Sequence, residues 1–173
     1  MSRGIRKEIW YPHPPEDVWA ALTDPQALAE WLMPTTFKEA RVGHTFQFKT
    51  DPMPMCENHT DCVVVECDPP RRLAWRWTIV WNKKYDRPTM PMTVSWTLTP
   101  ERDGTRLVFE QSPYDGPRAF WTRFSMNLGW GLMHKRLLRK VLRNVRAGVF
   151  TPGAIPRNKR TYKADTIPPE FTR

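Results

Sequence analysis

A chain of 173 residues, 40% apolar and 26% charged, has room for one globular domain and too little for two of ordinary size. No apolar run nears the roughly 20 residues of a membrane-spanning helix, and the charged start Met1-Ser2-Arg3-Gly4-Ile5-Arg6-Lys7 lacks the apolar stretch of a signal peptide, so a cytoplasmic location is expected. The net charge of +9 is uneven: residues 1–117 hold 14 basic and 16 acidic groups, residues 118–173 hold 13 and 2, and no Asp or Glu lies between Arg118 and Ala164. A surface made from that segment attracts an anionic partner. Three cysteines, an odd number, fit free thiols rather than a disulfide framework.

Ile5 to Tyr11 reads as a first strand, stopped by Pro12-His13-Pro14-Pro15. Pro15-Glu16-Asp17 then opens a short helix, because proline suits the first helical position and acids suit the first turn. Asp24 can cap a second helix that runs to about Trp31-Leu32 and ends at Pro34. Alternating runs follow, which mark half-buried strands: Phe46 and Phe48 against Thr45, Gln47 and Lys49, then Val63, Val65 and Cys67 against Val64 and Glu66. From Leu73 to Trp81 one parity holds Leu73, Trp75, Trp77, Ile79 and Trp81, so three indoles share a face. Met92, Val94, Trp96 and Leu98 alternate with polar residues, and a turn at Arg102-Asp103-Gly104 leads to Leu107 and Phe109. These runs predict an antiparallel meander.

A long helix is predicted from about Arg118 to Val145. At 100° per residue Trp130, His134, Leu137, Leu138, Val141, Leu142 and Val145 fall within one arc of about 140°, with Lys135, Arg136, Arg139, Lys140, Arg143 and Arg146 opposite. Upstream the phase slips, since Arg123 lands on the apolar arc, and Gly129 and Gly131 predict a bend there. Residues 148–173, rich in bases and prolines, read as an extended or disordered tail. The fold class is therefore α+β: a curved antiparallel sheet wrapped around a long C-terminal helix, with two short helices after the first strand, in a single domain over 1–147. A curved sheet and a straight rod do not mate everywhere, so an internal cavity is expected near the short helices.

Three segments carry a family resemblance. Ile9-Trp10-Tyr11-Pro12-His13-Pro14-Pro15-Glu16-Asp17-Val18-Trp19-Ala20-Ala21-Leu22-Thr23-Asp24-Pro25, closed by Trp31, resembles the opening of the SRPBCC (START-like, helix-grip) superfamily. Val64-Val65-Glu66-Cys67-Asp68-Pro69-Pro70-Arg71-Arg72-Leu73, ending in Trp75 and Trp77, and later Gly129-Trp130 with Leu137, resemble its branch similar to the activator of the heat-shock protein 90 ATPase. The resemblance implies a helix-grip fold whose cavity, in various members, holds lipids, sterols, hormones or polyketides. It carries over no catalytic residue. The stretches 50–60 and 83–91 and the basic tail stand out as local additions that could reshape the cavity mouth.

Inward parity and helix phase name Trp31, Phe48, Trp75, Trp77, Trp96, Phe109, Trp130, Met133 and Leu137 as cavity walls, suited to a planar or acyl apolar ligand. The competing reading is that these side chains fill the space themselves. His134, one turn past Trp130, is a polar anchor for such a ligand, or a general acid or base, or a hydrogen-bonded core histidine. Cys56, His59, Cys62 and Cys67 lack a usual zinc spacing, and on a regular strand Cys62 and Cys67 would face opposite ways, so no metal and no cofactor is expected. No nucleophile elbow, phosphate loop or paired-carboxylate motif is present in the sequence.

Arg136, Arg139, Lys140, Arg143 and Arg146 form a cationic face for an acidic protein or an anionic membrane; nucleic acid is disfavoured because the aromatics lie on interior parities. The expected function is non-enzymatic binding, transport or sensing of an apolar small molecule. The alternatives are a chaperone-associated or other protein-binding module using the basic face, and a cyclase- or hydrolase-like enzyme.

Overall fold

The computed structural model describes residues 4–52, 56–85, 89–115, 119–163, 165 and 167–171. Parts of the two added stretches, Met53–Met55 and Asp86–Pro88, and the expected helix start at Arg118 lie outside them. Strand β1 (Ile5–Tyr11) is followed by helices α1 (Pro15–Thr23) and α2 (Pro25–Trp31). Strands β2 (Thr45–Lys49), β3 (Cys56–Asp68), β4 (Arg72–Trp81), β5 (Met90–Glu101) and β6 (Gly104–Ser112) come next. All six strands join one antiparallel sheet in the order β1-β6-β5-β4-β3-β2. Helix α3 (Ala119–Leu132), a π-helical turn (Met133–Leu138) and α4 (Arg139–Leu142) complete the grip.

Local chemistry accounts for the joints. The Asp24 carboxylate accepts hydrogen bonds from the backbone N–H groups of Gln26 (2.8 Å) and Ala27 (2.9 Å), which caps α2. The Arg102-Asp103-Gly104 turn places Gly104 against β1, where a Cβ would overlap the Tyr11 carbonyl oxygen and touch the Trp10 ring. The concave face of the sheet carries Phe46, Phe48, Cys62, Val64, Leu73, Trp75, Trp77, Met92, Val94, Trp96, Leu98, Leu107 and Phe109, all buried.

Three expectations are corrected. In β3 the inward residues are Cys62 and Val64, with Val65 exposed. Valines on both parities hid the phase, and a bulge between Val64 and Glu66 then reverses it, bringing Cys67 back toward the core. The bulge also removes the argument that Cys62 and Cys67 face opposite ways.

The long helix stays helical through Gly129 and Gly131, and its irregularity is the π turn that follows. A π turn holds more residues per turn than an α turn, so it rotates the helix phase. Trp130 above the turn and Leu137, Leu138, Val141 and Leu142 within and below it are all buried, while the slip at Arg123 lies upstream, within regular α3. The helix also ends before Val145, because Val145–Arg146 pairs with Val149–Phe150 in a small hairpin (β7 and β8) turned at Ala147 and Gly148, both with positive φ.

The tail, third, is irregular but packed. Ile155, Ile167 and Phe171 are buried. Buried Glu30 on α2 accepts from the N–H groups of Gly153 (2.7 Å) and Ile155 (2.8 Å) and pairs with Arg160 at 3.1 Å.

Candidate functional site

All ten residues expected to line the interior lie inside: Trp31, Phe48, Trp75, Trp77, Trp96, Phe109, Trp130, Met133, His134 and Leu137 are at most 9% exposed. The sheet supplies five, its strands presenting alternate side chains to one face. Helix α2 supplies Trp31, and the long helix supplies the other four.

Many of these rings touch one another. Ring centroids lie 4.6 Å apart for Trp75–Trp96, 4.4 Å for Phe109–Trp130, 5.2 Å for Phe48–Trp77 and 5.8 Å for Trp77–Trp130. Most pairs are tilted or edge-on, the arrangements that aromatic quadrupoles favour. Beside the short helices, where an internal space was expected, Trp31 reaches within 5.5 Å of the His134 ring and donates its indole N–H to the Ala21 carbonyl at 2.9 Å. In this deep half the side chains occupy the space they were expected to line.

His134 is a core histidine with both ring nitrogens engaged. The Trp96 indole can only donate, so its 3.0 Å bond makes Nε2 the acceptor. Nδ1 then carries the proton and donates to the Trp130 carbonyl at 2.9 Å. Burial pushes the imidazole pKa down to about 4, with the bond to Trp130 opposing and the charge of Lys7 assisting. The backbone carbonyl of His134 accepts from Tyr11 Oη at 2.8 Å. A role as ligand anchor would require breaking these bonds.

A second polar centre escaped the sequence reading. Gln111 is fully buried on the concave face, and its Oε1 accepts from Trp130 Nε1 (2.7 Å) and Tyr114 Oη (2.6 Å). The signal was there: Gln111 continues the inward parity of Leu107 and Phe109. With His134 it ties four indole and phenol donors, Trp96, Tyr11, Trp130 and Tyr114, to the helix–sheet seam.

Two buried indole donors remain outside this network. The indole N–H groups of Trp75 and Trp77, two residues apart on the same face of β4, are buried without an acceptor among the described residues. Leaving such a group unsatisfied costs about 1–3 kcal/mol. The Thr50 hydroxyl, just past β2, is in the same state. The antiparallel register puts the β2–β3, β4–β5 and β6–α3 connections at one end of the sheet. At that loop end the cover is thinner: within α3 only Trp130 is buried, and Ile79, Met90 and Met126 are half-buried against the core.

Two surface clefts lie elsewhere. One of about 540 Å³ opens at the β2–β4 margin beside Gln47, Asp61, Arg76 and Thr78, and one of about 340 Å³ separates α2 from the tail beside Glu30, Arg157 and Arg160. Neither is lined by the ten interior residues. Among the described residues no three His, Cys, Asp or Glu side chains cluster as metal ligands.

The cationic face is exposed as expected at Arg136, Arg139, Lys140, Arg143 and Arg146. Arg139 is nonetheless engaged, donating to the Trp10 carbonyl at 3.1 Å and lying over the Tyr11 ring. One premise fails: Phe120, Trp121 and Phe124 on α3, and Trp10 on β1, are exposed, so the aromatics are not confined to the interior.

Residues 12–143 match the family model described as "Activator of Hsp90 ATPase homolog 1-like protein". Among solved structures the chain is similar to protein MLL2253 from Mesorhizobium loti, at 32% identity and TM-score 0.68 over 79% of this chain and 95% of that one. It is also similar to CalU16 from Micromonospora echinospora (25% identity, TM-score 0.59, 77% and 72% of the two chains) and to BH1534 from Bacillus halodurans (24%, TM-score 0.62, 82% and 99%). No curated protein sequence matches. A family model that spans most of the chain, together with these structural relatives, settles the lineage: the protein belongs to the Activator of Hsp90 ATPase homolog 1-like family of the SRPBCC superfamily.

Proposed function

We propose that the protein binds an apolar small molecule carrying a hydrogen-bond acceptor, without transforming it, at the loop end of the interior between β4 and the first half of α3. The observation that carries this reading is the pair of buried, unpartnered indole N–H groups on Trp75 and Trp77. A ligand carbonyl or hydroxyl oxygen would satisfy one or both, and the surrounding aromatic rings would take its apolar body. Binding rather than chemistry is favoured because the buried histidine is committed to structural bonds at both nitrogens, its Nδ1 proton to the Trp130 carbonyl and its Nε2 lone pair to the Trp96 indole.

The test is a panel of fatty acids, sterols and planar aromatic ketones, scored by melting temperature and by quenching of tryptophan emission. At least one class should raise the melting temperature. Trp77→Phe keeps most of the ring volume and removes the N–H, so it should weaken that ligand about tenfold, the equivalent of one hydrogen bond of about 1.4 kcal/mol. A panel that leaves the melting curve unmoved, or a ligand whose affinity ignores Trp77→Phe, would overturn the assignment.

A further inference from the structure

On the outside of the long helix two runs share one face. Phe120, Trp121, Phe124, Leu128 and Leu132 are between 43% and 70% exposed, and at about 100° per residue they span about 120° of the α3 circumference. Phe120 and Trp121, and Trp121 and Phe124, touch ring to ring at 5.4 and 6.5 Å. The patch is on the order of 500 Å², large for a surface left bare on a monomeric soluble protein. It extends about 18 Å along the helix axis.

The π turn keeps the second run in line with the first. Without it, the outward face of α4 would have drifted round the helix relative to that of α3. With the phase reset, Lys135, Arg136, Arg139, Lys140 and Arg143 all emerge on the solvent side directly beyond Leu132. Among the described residues no carboxylate pairs with Lys135, Arg136, Lys140 or Arg143, and the sequence holds no acid from Arg118 to Ala164.

We infer that this face docks the protein on an anionic lipid bilayer, with the aromatic half of the helix sunk among the headgroups and acyl boundary and the cationic half lying on the charged surface. An aromatic-rich apolar stripe joined to Lys and Arg is the composition of a helix that rests in the membrane interface plane. A second copy of the chain fits this face poorly, because apposing two such helices brings together unpaired cations of like sign. An anionic bilayer satisfies both halves at once, each cation near the surface contributing about fivefold in affinity.

The experiment is co-sedimentation of the full chain with vesicles of phosphatidylcholine alone and of phosphatidylcholine with one-third phosphatidylserine, at low and high salt. The phosphatidylserine vesicles should capture the protein at least tenfold better, and high salt should release most of it. The double variant Lys140→Glu/Arg143→Glu should lose more than twentyfold. The double variant Trp121→Ala/Phe124→Ala, altered only at exposed positions, should lose about as much while keeping its melting temperature. Failure to bind the phosphatidylserine vesicles, or binding indifferent to Trp121→Ala/Phe124→Ala, overturns the inference. So does a concentration-dependent dimer in sedimentation velocity that the aromatic substitutions abolish, since the face would then belong to a second copy. None of these readouts depends on whether the interior takes a ligand.

Discussion

His134 should make the protein lose stability in mild acid. The group is completely buried, and its folded-state pKa is depressed to about 4 against an ordinary value of 6.5. Between those values the unfolded chain binds a proton that the folded chain refuses, so stability rises with pH. The contribution is fully present above pH 6.5 and is lost as pH falls toward 4. From pH 7 to pH 5 the linkage integral amounts to about 2 kcal/mol, or about 4–8 °C in Tm for a chain of this length.

Urea melts at the two pH values measure it, with His134→Gln as the reference. That variant is less stable at both, having lost the bonds to Trp96 and Trp130, but it has no imidazole to protonate at this site. Its own drop between pH 7 and pH 5 should be smaller than that of the unaltered protein by about 2 kcal/mol. His13, whose pKa burial also lowers, titrates in both proteins and cancels in the difference. Equal drops would refute the assignment of a neutral, fully bonded imidazole at this position.

Gln111→Leu keeps the volume but strands the Trp130 N–H and the Tyr114 hydroxyl, so chemical denaturation should register a loss of about 2–5 kcal/mol. Glu30→Ala leaves Arg160 without its buried partner and frees the N–H groups of Gly153 and Ile155. It should cost about 3–5 kcal/mol, and trypsin should then cut at Arg157 and Lys159 under conditions where the unaltered chain resists. Gly104→Ala drives a methyl into the Tyr11 carbonyl and should abolish soluble expression or lower Tm by more than 5 °C, whereas Gly43→Ala, with nothing near its Cβ, should cost only the strain of its positive φ.

The parts of the fold that sequence disclosed are those where a single period runs without interruption. Leu73, Trp75 and Trp77, Met92 through Leu98, and Leu107 with Phe109 alternate cleanly, and all of these inward residues are buried. Asp24 announced the α2 cap by its type and place. Where the reading failed, a local irregularity had changed the phase: the bulge at Val64–Glu66 in β3 and the π turn in the long helix. An extra residue leaves no compositional mark: valines on both parities hid the bulge, and an apolar arc that holds from Trp130 to Val145 at α-helical spacing hid the π turn.

The candidate site was half legible. Parity identified which side chains turn inward, but not that they pack against one another, because contact between rings depends on the curvature of the sheet. The Glu30 anchor of the tail was invisible, since its partners are backbone N–H groups more than 120 residues away. The outward aromatics of α3 were misjudged for the opposite reason: tryptophan and phenylalanine are read as core by default.

The widened turn at Met133–Leu138 also bears on which length changes the chain can absorb. Taking one residue out there, Lys135 or Arg136 on the solvent side, would convert the segment to ordinary α-helix and leave both flanking faces near their present orientation. A deletion in Phe124–Leu128 or Val141–Leu142 has no slack to consume and would swing everything downstream by about 100°. In a library of single-codon deletions across this helix, survivors should gather in that one turn.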